Sequence, residues 1–169
     1  MNGLDLRIMI AKYKDKGLVI DSKPLLLYFV GLYDPGQIAR FKRTQTYTIE
    51  DFHLLQRFVT CFRRVVTTPN ILTEVSNLSG QLPEPIKSAY FRDLKKHVGV
   101  VHERYRPSRL VCQNPHFVRF GLTDSAIVDL SMKKYLVLTD DLPFYGLLQR
   151  LGIDAINFSH IRFFGWPGT

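Results

Sequence analysis

A chain of 169 residues and 19.6 kDa with 46% apolar residues has the size and composition of one globular domain with its own core. Its 23 lysines and arginines against 15 acidic residues give a formal charge of +8, which favours a polyanionic partner such as nucleic acid. Only Cys61 and Cys112 are present, and the apolar run 24–33 is about half of what spans a bilayer, so neither a disulfide scaffold nor a membrane protein is expected.

The predicted elements alternate between strand and helix along one domain, 1–169. Residues 1–16 are an N-terminal extension without the profile of a signal peptide, so a cytoplasmic protein is expected. Strands are then predicted over 18–21, 65–67, 135–139 and 153–158. Helices are predicted over 24–32, 48–62, 69–80, 83–96, 123–132 and 142–151, the second of them opened by an approximate capping box of Thr48 and Asp51. Helices of this length between strands imply parallel βαβ units. The expected fold class is α/β, a three-layer α/β/α sandwich with a central, mostly parallel sheet.

Acidic residues at the ends of two strands indicate the chemistry. Asp21 follows the apolar run 18–20, and Asp141 follows the apolar run in 135–139. In an open α/β sheet, ligands bind outside the carboxyl ends of the strands, so these two aspartates are expected to meet in one crevice. Crowded carboxylates repel one another unless a positive charge lies among them, and clusters of oxygen ligands select Mg²⁺ or Mn²⁺.

Two further acids border the apolar faces of their helices. Glu74 has apolar residues three positions before it and one and four after it, and Asp124 is followed by Ile127 and Val128. An ionised acid that faces inward is costly unless it is paired or binds a metal. The alternatives are that each acid pairs with an arginine, or that Asp124 only caps its helix.

Motif-like segments at these positions follow one another in a defined order and at defined spacings along the chain. They are Leu18–Ser22, Glu74 within a helix, Thr123–Ala126, Leu138–Phe144 and the closing run 152–158. In this order they resemble the PIN-domain nucleases, and among those the VapC-type toxins of toxin–antitoxin pairs. The segment 138–144 is similar to the family's Thr-x-Asp-x-x-Phe signature, and the resemblance covers residues 17–79 and 119–158.

The resemblance implies an endoribonuclease that hydrolyses RNA phosphodiester bonds with Mg²⁺ or Mn²⁺. The four acids named above would hold one or two ions, or anchor the groups that do, and the ions would orient and deprotonate a water. Ser22 and Thr139 would position water or a carboxylate by hydrogen bonding, and Asp140 would be the variable neighbour of Asp141. An antitoxin and a second copy of the chain are the protein partners expected of such a toxin.

Other functions stay open. The extension 1–16 and the basic region 80–118 are longer than in the compact toxins, so a nuclease that is not a toxin is an alternative. A second alternative is a catalytically silent PIN-like module that binds RNA or a protein. Phosphatases of the haloacid-dehalogenase type are disfavoured, because Lys23 stands where they need a second aspartate.

Basic residues cluster in several segments, with aromatic residues such as Tyr105 between them. Phosphate contacts and base stacking from such a mixture would suit single-stranded RNA. The alternative is a solvated helix face with its aromatic residues in the core. The candidate RNA-binding residues are Arg40, Lys42, Arg43, Lys95, Lys96, Arg104 and Arg106.

Overall fold

The computed structural model describes residues 3–132 and 134–164. The strands are β1 (Leu18–Ile20), β2 (Val65–Thr67), β3 (His102–Glu103), β4 (Leu136–Thr139) and β5 (Ala155–Asn157). The helices are α1 (Gly3–Tyr13), α2 (Ser22–Tyr33), α3 (Ile49–Thr60), α4 (Pro69–Ser79), α5 (Ile86–Val98), α6 (Ser108–Val111), α7 (Phe117–Ser131), α8 (Leu142–Arg150) and α9 (Phe158–Phe164), with a 3-10 helix at Pro35–Gln37. The α/β fold predicted from the sequence is confirmed.

The five strands form one sheet in the order β3-β2-β1-β4-β5, and every pairing is parallel. Leu18 of β1 lies opposite Val65 of β2 and Leu136 of β4, which fixes the register at the centre of the sheet. Helices cover both faces, so the molecule is a three-layer α/β/α sandwich. Because the strands run in one direction, all of their carboxyl ends lie at one edge, which we call the carboxyl edge; the opposite one is the amino edge.

Burial explains why the central strands are uniformly apolar. All residues of β1 and β4 are buried, as expected for parallel strands covered on both faces. The helix α2 is also apolar nearly all round because most of it lies in the core. The capping box predicted for α3 is present: the Thr48 side chain accepts from the Asp51 N–H, and the Asp51 side chain accepts from the Thr48 N–H.

Several elements differ from the sequence prediction. The extension 1–16 contains α1, which buries Leu6 and Tyr13 against the core. The basic region 80–118 contains α5 and α6, and it also supplies β3, the edge strand beside β2. A helical turn that the sequence did not predict begins at Phe117, and the backbone leaves helical geometry at Gly121, where φ is 75°. The helix predicted to start near Thr123 follows this kink, so that prediction is confirmed. The last strand ends at Asn157, and α9 follows it directly.

The sequence predicts neither a membrane-spanning helix nor a disulfide scaffold. Among the described residues, no helix combines the length and the apolar character that crossing a bilayer requires. Cys61 and Cys112 are both free thiols.

Candidate active site

The carboxyl edge carries acidic residues from separate parts of the chain. Asp21 directly follows β1, and the pair Asp140 and Asp141 directly follows β4. These two strands are neighbours at the centre of the sheet. Glu74 lies in α4, the helix that follows β2, and Asp124 lies in α7, which packs against α4. The parallel topology therefore brings the four acids singled out in the sequence to the same end of the molecule.

Hydrogen bonds join three of these acids into one chain. The Asp141 backbone N–H donates to Thr139 Oγ1 at 3.0 Å, and Thr139 Oγ1 donates to Asp21 Oδ2 at 2.6 Å. The Ser22 backbone N–H donates to Asp21 Oδ1 at 2.7 Å, and Ser22 Oγ donates to Glu74 Oε2 at 2.9 Å. Ser22 and Thr139, predicted to support the site, thus link the ends of β1 and β4 to α4. We call this set the acidic chain.

Asp21 and Asp141 also act as helix caps. Asp21 is the N-cap of α2, and Asp141 is the N-cap of α8, where Asp141 Oδ1 accepts from the Phe144 N–H at 2.8 Å. A capping aspartate by itself is an ordinary structural device. Asp124 differs, because its side chain forms no hydrogen bond or ion pair within the described residues. The sequence alternative that Asp124 only caps its helix therefore does not describe this structure.

The pKa values of two acids show how the carboxylates affect one another. Burial raises the pKa of Asp124 to about 8, and the negative charges of Asp21, Asp141 and Glu74 add to the rise. Burial also raises the pKa of Asp21 to about 6, against the hydrogen bonds from Thr139 and Ser22 that lower it. Within residues 3–132 and 134–164, no lysine, arginine or histidine forms an ion pair with these acids. No cationic side chain of the described residues therefore offsets the charge that these acids carry when they ionise.

A divalent cation is the partner that this donor set suits chemically. All donors are oxygen atoms, which Mg²⁺ and Mn²⁺ prefer, and a cation would relieve the mutual repulsion. The arrangement is nevertheless not a preformed metal site: in the described part of the chain, no three His, Cys, Asp or Glu side chains lie together as a group able to hold an ion. The residues fit a hard cation by charge and donor type, and binding would require their side chains to converge.

Tyr47 belongs to this region, although nothing in the sequence marked it. Its hydroxyl donates to Asp140 Oδ2, while Asp140 Oδ1 is buried without a hydrogen-bond partner among the described residues. Burial raises the pKa of Tyr47, and the Asp140 charge raises it further. The Arg162 guanidinium lies 5.2 Å from the centre of the Tyr47 ring and donates to Asp51. Tyr47 comes from an irregular segment without a motif, so only the folded chain reveals its contact with Asp140.

The predicted RNA-binding residues lie on three separate segments. Arg40, Lys42 and Arg43 lie between the 3-10 helix and α3, where Arg43 Nε donates to Gln81 Oε1 at 2.8 Å. Lys95 and Lys96 are in the last turn of α5. Arg104 and Arg106 follow β3 and line a cavity beside α7. Among these candidates, only this last pair lines that cavity.

Comparisons with known proteins assign no family to the chain. No model of a known protein family matches it, and no curated protein matches it significantly. The functional evidence is therefore the site itself.

Proposed function

We propose that the chain is a Mg²⁺- or Mn²⁺-dependent endoribonuclease that hydrolyses RNA phosphodiester bonds at the carboxyl edge of its sheet. The observation that carries this proposal is the acidic chain, with the side chain of Asp124 beside it. Buried acids with raised pKa values and no cationic partner cluster at functional sites.

The chemistry divides between the ion and the protein. A bound divalent ion would supply charge for the phosphate and activate a water. Thr139 and Ser22 hold the Asp21 and Glu74 carboxylates in fixed orientations, which limits the reorganisation needed on binding. Without a cation, the acids would repel an RNA phosphate, whereas the formal charge of +8 attracts the polyanion to the molecule as a whole. The acids thus need a metal before they can accept the phosphate that is cut, whereas RNA can bind to basic parts of the surface outside them without one.

The resemblance to PIN-domain nucleases supports the same reaction, because the motif residues of that resemblance are the members of the acidic site. We further propose a cytoplasmic protein that acts as the toxin of a toxin–antitoxin pair, with an antitoxin and a second copy of the chain as partners. A small reading frame for an antitoxin beside the gene, and co-purification of its product with the chain, would support this finer proposal.

The test is RNA cleavage by the purified protein with Mn²⁺, with Mg²⁺ and with EDTA. We expect cleavage only with metal, and a loss of at least about 100-fold in Asp21→Asn and in Asp124→Asn, since each removes a negative charge that holds the ion. The matched control is Asp154→Asn, the same substitution at the amino edge, which should cleave like the wild type. Cleavage that survives both substitutions, or that continues in EDTA, would contradict the proposal.

A catalytically silent module that binds RNA or a protein is the second candidate. It is favoured by one observation, the lack of a preformed group of three metal-binding side chains among the described residues. A folded wild-type protein that binds RNA but cuts none with either metal would establish this candidate.

A further inference from the structure

The edge strand β3 directs a basic and aromatic segment to the carboxyl edge. β3 runs parallel to β2, with Val66 opposite His102 and Thr67 opposite Glu103. The Arg104 backbone N–H then donates to the Thr67 carbonyl at 2.8 Å, where both strands end. The residues that follow β3 therefore leave the sheet at the same edge as the acids.

This segment is fastened on both sides of Tyr105. Arg104 is held by its backbone bond to β2, and Arg106 Nε lies 2.9 Å from Asp129 Oδ2 of α7. Asp129 also accepts from the Asn114 side chain at 2.9 Å. Between these anchors Tyr105 is 76% exposed. A large aromatic ring held at the surface on an anchored segment is available to stack on a ligand.

A cavity of about 530 Å³ lies between the segment and α7. Tyr105, Thr68, Leu130 and Lys134 are among the residues that line it, which gives it an aromatic wall, an aliphatic wall and polar groups. Its volume lies within the range of about 300–1,000 Å³ usual for small-molecule sites. We call it the Tyr105 cavity.

The charges around the Tyr105 cavity suit a phosphate. Arg104 and Lys134 line it, both are exposed, and neither forms an ion pair within the described residues. Arg106 is instead neutralised by Asp129. Two exposed cations without acidic partners in the described residues therefore line the cavity, one after β3 and one before β4.

A second cavity shares lining residues with both this region and the acidic site. Asn70 lines the Tyr105 cavity and also a neighbouring cavity of about 320 Å³. The second cavity is lined in addition by Glu74 and by Thr123, the residue before Asp124. A strand lying in the Tyr105 cavity can therefore continue past Asn70 towards the acidic chain.

We infer that the Tyr105 cavity binds an unpaired nucleotide of single-stranded RNA, with the base stacked on Tyr105 and its neighbouring phosphates contacted by Arg104 and Lys134. Stacking on an aromatic side chain requires a base that is free of a duplex, so the substrate class is single-stranded. The inference deepens the proposed function and rests on it in one respect: the next phosphate of the strand would lie at the acids.

The inference is tested by fluorescence anisotropy of a labelled, unstructured uridine oligomer of about ten nucleotides, with the protein in EDTA so that no metal-dependent cleavage occurs. We expect Tyr105→Ala to weaken binding about 10-fold and Tyr105→Phe to stay within about 2-fold, because the phenylalanine keeps the ring. Arg104→Ala should weaken binding about 5-fold. It should also reduce the slope of log affinity against log salt concentration by the amount that corresponds to about one phosphate contact. The matched charge control is Arg63→Ala, an exposed arginine before β2 at the amino edge, which should stay within about 2-fold.

Each outcome decides the inference separately from the proposed function. Wild-type affinity in both Tyr105→Ala and Arg104→Ala would overturn the inference, even if Asp21→Asn abolishes cleavage. Weakened binding in both variants would support it, even if the protein never cuts RNA. If the wild-type protein does not bind the oligomer, the inferred nucleotide site is wrong, and a protein partner becomes the alternative ligand of the cavity. A matched deoxythymidine oligomer is expected to bind equally or more weakly, and a clear preference for it would overturn the assignment to RNA.

Discussion

Acidic residues lie at both edges of the sheet, and Asp154 at the amino edge contrasts with the four acids of the candidate site at the carboxyl edge. Just before β5, Asp154 Oδ2 accepts from Lys12 Nζ at 2.6 Å and from the Tyr13 hydroxyl at 2.8 Å. Burial acts to raise the pKa of Asp154, but these hydrogen bonds and the Lys12 charge outweigh it and lower the pKa. At the carboxyl edge, burial and neighbouring acids raise the pKa values of Asp21 and Asp124.

The comparison separates an acid that stabilises the fold from acids that the fold holds at a cost. Asp154 fastens α1 to the sheet, so its charge contributes to stability. Asp124 is partly buried with three acids nearby and no partner among the described residues, so its ionised form opposes folding. An arrangement of the second kind persists where a ligand supplies the missing charge.

The largest expected effect is stabilisation by metal. Mn²⁺ at about 100 times its Kd should stabilise the wild-type protein by about 2.7 kcal/mol, which is about 5–10 °C in Tm for a chain of this size. Differential scanning fluorimetry with and without EDTA measures the shift. Asp124→Asn should lose most of it, and Asp154→Asn should keep it. The same shift in all three proteins would place the ion elsewhere.

The second effect concerns the residue that joins two acids of the site. Thr139→Val removes the hydroxyl that donates to Asp21 and accepts from Asp141, and it should lower the Mn²⁺ affinity about 10–100-fold. Isothermal titration calorimetry measures this affinity. The control is Thr60→Val, since the Thr60 hydroxyl donates to the Arg57 carbonyl of its own helix, away from the acids. An unchanged affinity in Thr139→Val would show that the acidic chain does not organise the metal site.

The third effect is a dependence of stability on pH in the metal-free protein. The folded pKa of Asp124 is about 8, above that of an unfolded aspartate, so the folded state binds more protons between about pH 4 and pH 8. Stability is therefore lost as the pH rises through this window. In Asp124→Asn the free energy of unfolding should rise by about 1–2 kcal/mol at pH 8 and should be unchanged at low pH. The rise is smaller than the pKa shift alone implies because solvent screens a partly exposed group. Urea unfolding in EDTA at both pH values measures it, and no gain at pH 8 would contradict the repulsion described here.

The smallest effect has the opposite sign and belongs to the amino edge. The lowered pKa of Asp154 means that its contribution is present above about pH 4 and is lost as the pH falls below that range. Asp154→Asn should therefore lower Tm by about 1–3 °C at neutral pH. Scanning fluorimetry should find no difference from wild type in strong acid and a reduced difference in about 1 M NaCl. A gain in Tm would remove the contrast between the two edges.

Elements with a strong local signal were predictable from the sequence. β1 and β4 are apolar runs that end at aspartates, and α3 has both a capping box and helical spacing. The positions of Asp21 and Asp141 followed from the rule that parallel strands end at one edge. The hydrogen bonds that join them through Thr139 did not, because they depend on side-chain rotamers set by the packed core.

Elements held by tertiary contacts were missed. β3 consists of His102 and Glu103, which show no apolar alternation, and it forms because its backbone pairs with β2. In α1, Leu6 and Tyr13 are buried at helical spacing, but the segment between them is too short and mixed to give a clear periodicity. The contact between Tyr47 and Asp140 joins residues 93 positions apart, which no local pattern encodes.

The two outermost strands have a consequence for self-association. β3 has two residues and β5 has three, so a neighbouring molecule could form only a very short hydrogen-bonded ladder with either of them. Short outer strands protect proteins from open-ended polymerisation through their sheets. A pair of these chains would therefore have to meet through helical surfaces, and filament growth by strand addition is disfavoured.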